Sequence, residues 1–313
     1  MRRTIAAMSI RPGDEKTPNE IPEHGPVLER IEPKPRDLGD NFMVRRALPA
    51  IEKRMVGPFI FWDEFGPVQF EAGKGMDVRP HPHINLATVT YLFEGEIFHR
   101  DTLGSAQAIR PGDVNWMNAG RGIAHSERTA PDLRAKGFPM AGIQSWVALP
   151  ESHEESEPFF KHYAESELPL LSEGGKIVRI IAGTLYGKAS PVKTYSEMFY
   201  ADVRLDAGAS LPLDADHEER GIYIVSGEVE IAGERFERGR LLVFRPGDKA
   251  TIKAVTAARF MALGGANLGP RHLWWNFVSS RKERIEQAKE DWKAGRFGTV
   301  PGDDTEFIPL PEH

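Results

Sequence analysis

Short apolar runs separated by Gly, Pro and Asp turns dominate the chain from Asn41 onward. "FMVRRAL", "GPFIFWDEF", "ATVTYLF", "DVNWM", "IQSWVAL", "KIVRIIAG", "EMFYADVRL", "GIYIVSGEVEIAG", "RLLVFRPG" and "ARFMALGG" are rich in β-branched and aromatic residues. No helical period lies between them. Strands of this length at this spacing predict an all-β sandwich or barrel architecture. The exception is "SSRKERIEQAKEDWKAGRFG". There Ser279 or Ser280 can cap a helix, Ile285, Ala288 and Trp292 share a stripe, and Gly295 follows the last turn. This helix is expected to pack against the β domain.

The polar punctuation divides the chain. Residues 1–40, rich in Pro, Gly and charge, read as an irregular arm. The acidic stretch 151–175, broken by Pro158 and Pro169, reads as a linker. That leaves one barrel at 41–150 and a second at 176–313, which carries the terminal helix. An internal repeat supports the division: "YLFEGEI" from Tyr91 resembles "YIVSGEV" from Tyr223, and "IRPGDVNW" resembles "FRPGDKAT". The "RPGD" segments are turn chemistry, with Pro and Gly setting backbone angles. The Gly264-Gly265 doublet lacks the context of a nucleotide fingerprint and reads as a loop.

Composition narrows the function. The chain has 313 residues, 40% hydrophobic and 27% charged, as in an ordinary soluble globular protein. A net charge of −6 leaves no basic excess to pair with phosphates, so direct nucleic-acid binding is not expected. No apolar run approaches the roughly 18 residues of a membrane span. The opening "MRRTIAAMSIRPGDEK" is too short and polar for a secretion signal, so the cytoplasm is the expectation, and the net charge with no large apolar tract fits a monomer. With no cysteine, disulfides, thiolate zinc sites and cysteine nucleophiles are excluded. A metal would have to be held by His, Asp or Glu, which suits iron, manganese, nickel, copper or cobalt.

Candidate chemistry lies in "DVRPHPHINLATVTYLFEGE". In a strand, residues i and i+2 face one side, so His81 and His83 point together and Asn85 continues that side. "NAGRGIAHSER" repeats the spacing with His125 and Glu127. One His-x-His pair alone is more often a satisfied polar pair than a ligand set. Two such pairs on strands of one barrel would place three imidazoles and a carboxylate around a point. The second half offers only His217 in "DADHEERGIYIV" and no His-x-Glu in "VTAARFMALGG", so its barrel reads as a degenerate, metal-free copy. In "FHRD", His99 and Asp101 share a strand face. They either orient a ligand imidazole or fix the turn before Gly104, and the turn is the slightly preferred reading.

These residues resemble the pirins, of the cupin superfamily. The likeness rests on "HPHINLATVTYLFEGEIFHRD", "RPGDVNWMNAGRGIAHSE" and "RHLWWNFVSSRKERIEQAKEDW", and extends from about Asn41 to the C-terminal region. It implies a bicupin of two tandem jelly-roll β-barrels. It further implies one divalent metal in the N-terminal barrel, usually Fe(II), with Mn, Ni, Co or Cu compatible, held by His81, His83, His125 and Glu127. Pirins usually have Gly where this chain has Asn85, which is expected to reach a water on the metal or crowd the substrate. The resemblance implies cleavage of flavonols such as quercetin with O2, with Glu127 accepting the proton of the 3-hydroxyl. Phe61, Trp62, Phe98, Trp116, Met117 and Trp146 are the candidates for the pocket wall. Pirins also act through protein partners, including transcription regulators, so a redox sensor without turnover is the alternative. A metal-storing or purely structural role is a weaker third.

Overall fold

The computed structural model describes residues 25–37 and 43–312, in two antiparallel β-barrels. In the N-terminal barrel a seven-stranded sheet runs in the order Phe159–Tyr163, Val114–Asn118, Leu86–Glu94, Phe138–Ala148, Phe59–Phe70, Met43–Leu48, Lys34–Asp37. Its partner is a four-stranded sheet, Asp77–His83, Ile123–Arg128, Ile97–Asp101, Ala106–Ile109. The C-terminal barrel repeats the plan, with an eight-stranded sheet against a four-stranded one. This is the tandem jelly-roll arrangement expected from the strand pattern. Among the described residues, no helix is long and apolar enough to cross a membrane.

The two large sheets are buried on both faces, which explains why their strands read as near-continuous apolar runs rather than alternating ones. Inward, Phe65, Leu92 and Met140 pack on Ile97 and Ile109 of the small sheet and on Met76, which precedes it. Outward, Trp62, Val89, Tyr91, Trp116 and Ile143 pack on Tyr200, Tyr223, Leu241, Met261 and Leu263 of the other barrel. The outer faces of the large sheets therefore form one shared apolar core. Two reciprocal polar contacts cross it. The Tyr91 hydroxyl donates to Asp202 at 3.0 Å, and the Tyr223 hydroxyl donates to Glu64 at 2.5 Å. Tyr91 and Tyr223 are the corresponding residues of the internal repeat, so the duplicated units meet as two copies would across a twofold axis. Arg259 chelates Asp202 at 2.8 and 2.7 Å, and Arg45 donates to Glu64 at 3.0 Å, which neutralises both buried carboxylates.

Both chain ends depart from the division expected from sequence. Within the arm, Val27–Ile31 pairs with Leu241–Phe244 of the C-terminal barrel, while Lys34–Asp37 pairs with Met43–Leu48 of the N-terminal one. The arm is therefore ordered there and stitches the barrels together; residues 1–24 and 38–42 lie outside the described residues. The acidic linker is also structured, since Phe159–Tyr163 pairs with Val114–Asn118 and Leu170–Glu173 with Lys176–Leu185. Its Pro and acidic residues mark bends between strands rather than a free tether.

The helix Lys282–Lys293 crosses back to the N-terminal barrel. Ile285, Ala288 and Trp292 pack with Ile84, Ala124 and Phe277, as the apolar stripe required, but on the other barrel's wall. Neither serine caps it: Arg281 holds the N-cap position, and the Ser279 and Ser280 hydroxyls donate to Glu154 at 3.1 and 2.9 Å. Buried Glu154 also faces Arg271 at 3.3 Å; the Ser279 oxygen accepts the Arg281 N–H at 3.1 Å rather than one from the helix's first turn. Gly295 follows the last turn at φ 70°, as expected.

Replacing Asp202 by Ala strands Arg259 and Tyr91 inside the interface. The variant should lose about 3 kcal/mol of stability in chemical denaturation, against about 1 kcal/mol for Tyr91→Phe.

Candidate metal centre

The small sheet of the N-terminal barrel sets the site. His125 lies opposite His81 in the ladder, and Ile123 lies opposite His83. The i, i+2 spacing sends the His81 and His83 side chains to one face, and antiparallel pairing brings His125 between them. The ring centroids are 4.5 Å (His81 to His125), 5.0 Å (His81 to His83) and 5.1 Å (His83 to His125) apart. One nitrogen from each ring lies within 4.8 Å of the others, close enough for a single ion.

Hydrogen bonds decide which nitrogens are free. His81 Nδ1 lies 2.9 Å from the Arg79 carbonyl, and His83 Nδ1 lies 3.1 Å from the Asn276 carbonyl. A carbonyl only accepts, so each Nδ1 carries the proton and each Nε2 keeps its lone pair. His125 is fixed by a longer chain. Asp101 Oδ1 accepts the N–H groups of Leu103 and Ser105 at 2.9 and 3.0 Å, and Oδ2 lies 2.9 Å from His99 Nε2. With its proton on Nε2, His99 presents the Nδ1 lone pair to His125 Nδ1, 3.3 Å away. His125 Nε2 is then a buried lone pair with no hydrogen-bond partner among the described groups. An orphaned nitrogen beside two others like it fits a metal ion. The two readings of "FHRD" are compatible: Asp101 accepts two N–H groups of the turn, and His99 stands between Asp101 and the His125 imidazole.

Electrostatics agree with this donor set. Burial, then the neighbouring imidazoles, hold His83 and His125 well below the usual histidine range. Burial above all lowers His81 to about 4. All three are neutral at pH 7 and can donate.

Glu127 stands apart from the compact group of three. A register shift after His125 places it opposite Val78. Its side chain faces the same cavity, with Oε1 at 3.0 Å from Thr90 Oγ1, while Gln144 Oε1 is 2.8 Å from the same hydroxyl. One hydroxyl has one proton and cannot donate to both. Burial pushes the Glu127 carboxyl up, and the one Thr90 hydroxyl ties that carboxyl to the Gln144 amide.

The cavity over these residues measures about 460 Å³, within the range of small-molecule sites. Phe61 and Trp146 line it, stacked at 4.0 Å, and Trp146 sets its edge against His83 at 5.0 Å. The other wall candidates lie elsewhere. Trp62 and Trp116 point outward into the core between the barrels, because strand alternation sends them opposite to Phe61 and Met117. Met117 packs in the apolar cluster that backs Phe61 and Trp146. Phe98 alternates with His99 onto the outer face of the small sheet, beneath Arg100.

Asn85 is also corrected. Its backbone turns at φ 57°, ending the extended run, so it leaves the ligand face. The side chain is buried and donates to the Glu154 and Gly120 carbonyls at 2.6 and 3.3 Å. A left-handed position suits Gly, and Asn is the side chain that best tolerates it. Asn85 thus supports a loop rather than the substrate.

Sequence reasoning missed Thr90, Gln144 and Asn276. Thr90 and Gln144 were discoverable, as polar residues alternating inward on otherwise apolar strands. Asn276 acts through its carbonyl from a distant segment and carries no sequence signal. In the C-terminal barrel, His217 bonds to Glu197 and the Thr184 carbonyl. Among the described residues, only the N-terminal barrel groups three such side chains at metal-binding distance.

Two tandem jelly-roll barrels, one enclosing a buried cluster of three imidazoles, define a metal-binding bicupin. Comparison with known proteins makes the class specific. The Pirin family profile matches residues 41–147, and that of the Pirin C-terminal cupin domain matches 200–298. The chain belongs to the pirin family. It is 51% identical to a pirin-like protein of Caulobacter vibrioides, over 88% of this chain and 96% of that one. It is 33% identical to the pirin of Rattus norvegicus, over 82% and 87% of the two chains. A crystal structure of quercetin 2,3-dioxygenase from Acinetobacter baumannii superposes with a TM-score of 0.84 at 32% identity, covering 91% of this chain and 95% of that one.

Two outcomes follow. Histidines of the unfolded chain titrate near 6.5, above their folded values, so the unfolded state takes up protons first as pH falls. Metal-free protein should lose stability steadily from about pH 6.5 toward 4, and His81→Gln should flatten part of that slope in denaturant titrations. His99→Phe keeps the ring packed on Phe160 but removes the acceptor for His125. It should weaken metal binding by about 10- to 100-fold in competition titrations without changing the fold.

Proposed function

We propose that this chain is a metal-dependent dioxygenase that opens flavonol-type substrates with O2, using the cavity lined by His81, His83 and Glu127. The observation that carries the reading is the pairing of a neutral three-imidazole cluster with a stacked aromatic pair, Phe61 on Trp146, at one cavity of about 460 Å³. A planar polyphenol can pack beside that pair with its hydroxyls toward the histidines.

His81, His83 and His125 would hold a divalent metal, with Glu127 as the fourth ligand. Fe(II) is the proposed ion, and Mn, Ni, Co or Cu suit the same nitrogen and oxygen donors. When bound, the metal would supply Lewis-acid and O2 chemistry at this site. The remaining work falls to side chains. Glu127 is buried beside the site and held by Thr90, so it can accept the proton of the flavonol 3-hydroxyl. Burial raises its affinity for that proton above that of an ordinary carboxylate. Gln144 and Thr90 keep the carboxyl pointed into the cavity while the proton is held. Phe61 and Trp146 exclude water from the aromatic face.

Elemental analysis of freshly purified protein should find one metal per chain, and a flavonol should consume O2 in its presence. His125→Ala should lose both metal and turnover. Glu127→Gln should keep metal on the three histidines while turnover falls by about 10²-fold or more. Metal at one per chain without O2 consumption by any flavonol, whichever divalent ion is loaded, would refute the enzyme reading.

A further inference from the structure

The C-terminal segment, which follows the second barrel in sequence, returns to complete the cavity of the first. Trp275, Asn276 and Ile308 all line it. Ile308 is held at both backbone groups. Its N–H donates to the Pro80 carbonyl at 2.8 Å, and its carbonyl accepts the Trp292 indole N–H at 3.0 Å. Pro80 directly precedes His81 in the ligand strand. Arg128, which directly follows Glu127, grips the same tail, with a fork to Asp303 at 2.6 and 2.8 Å and a bond to Glu306 at 2.8 Å. Buried Val300 and half-buried Leu310 pin the tail on either side of Ile308.

Part of the tail covers the helix, where Phe307 meets Trp292 and Leu310 joins the apolar cluster. The tail 303–310 forms no helix or strand, and most of its residues are exposed. A free tail of this composition would gain little by ordering, yet a charged fork and two backbone bonds seat one aliphatic side chain at the cavity. Trp275 points the same way: it lines the cavity from a left-handed backbone, φ 52°, that a bulky residue adopts at a cost.

We infer that Ile308 is a specificity-determining residue of the metal cavity, carried on the C-terminal tail as an apolar wall that sets the breadth of ligand the histidine cluster accepts. The inference rests on the cavity being a ligand site, as proposed above, but not on flavonol turnover. The ligand class is a flat, apolar ring system bearing a metal-directed donor atom. Size selection comes from the side chain at 308, and the Arg128 fork fixes where it stands.

Cobalt(II)-loaded protein allows a test by binding alone, read from the visible spectrum with imidazole as the small probe and 4-phenylimidazole as the broad one. Wild type should bind both. Ile308→Trp should weaken 4-phenylimidazole by about 10-fold or more while imidazole changes by no more than about 2-fold. Ile308→Ala should tighten or leave unchanged the broad probe and admit bulkier aryl imidazoles that wild type rejects. Cobalt stoichiometry should be the same in all three proteins, which separates a cavity wall from a merely structural tail. Equal effects on both probes, loss of cobalt in Ile308→Ala, or no probe binding to wild type would overturn the inference. Absence of flavonol turnover with size selection intact would remove the dioxygenase reading and leave this one standing.

Discussion

Burial of the two large sheets against each other is the constraint on which the rest of the structure depends. Their outer faces form a single core, and Tyr91 and Tyr223 each reach a carboxylate of the opposite barrel through it. A buried carboxylate costs several kcal/mol unless paired, so Arg259 and Arg45 make those crossings tolerable. Because both faces of the large sheet are occupied, its inward polar positions, Thr90 and Gln144, can only serve the barrel interior. The small sheet is then free to carry the histidines. The N-terminal strand and the C-terminal helix each cross to the other barrel, so the interface is closed covalently at both ends of the described chain.

Within the N-terminal barrel, proton placement matters more than ring proximity. Three imidazoles 4.5 to 5.1 Å apart could equally donate to one another or to water. They become a donor set because each Nδ1 is engaged elsewhere: Arg79 and Asn276 carbonyls for His81 and His83, and the Asp101–His99 chain for His125. Asp101 is fixed by two peptide N–H groups, so the chain starts from an acceptor that stays charged. Asn276 and the tail at Ile308 come from the far end of the sequence, which ties the site's geometry to the docking of the C-terminal segment.

Much of this was legible in the residue pattern. Strand class, duplication, the helix stripe and the His-x-His and His-x-Glu pairs all rest on local periodicity, which a strand's two-residue repeat converts directly into a shared face. The misreadings share a cause as well. Trp62 and Trp116 look like pocket walls until the other barrel is present to claim the opposite face of their sheet. Asn85 extends the ligand face only if the strand continues, and its left-handed turn ends that. Pro and acidic residues suggested a free arm and linker, but edge strands tolerate both when a neighbouring sheet supplies the pairing.

The sequence by itself determined the two-barrel β architecture and the residues able to bind a metal, because side-chain chemistry and strand alternation are local properties. Tertiary structure decided which face each aromatic serves, which nitrogen of each histidine is free, and what walls the cavity. Those depend on partners as distant in the chain as His83 and Asn276 or Pro80 and Ile308. A hydrogen bond of that kind leaves no periodic trace, since a backbone carbonyl belongs to every residue alike.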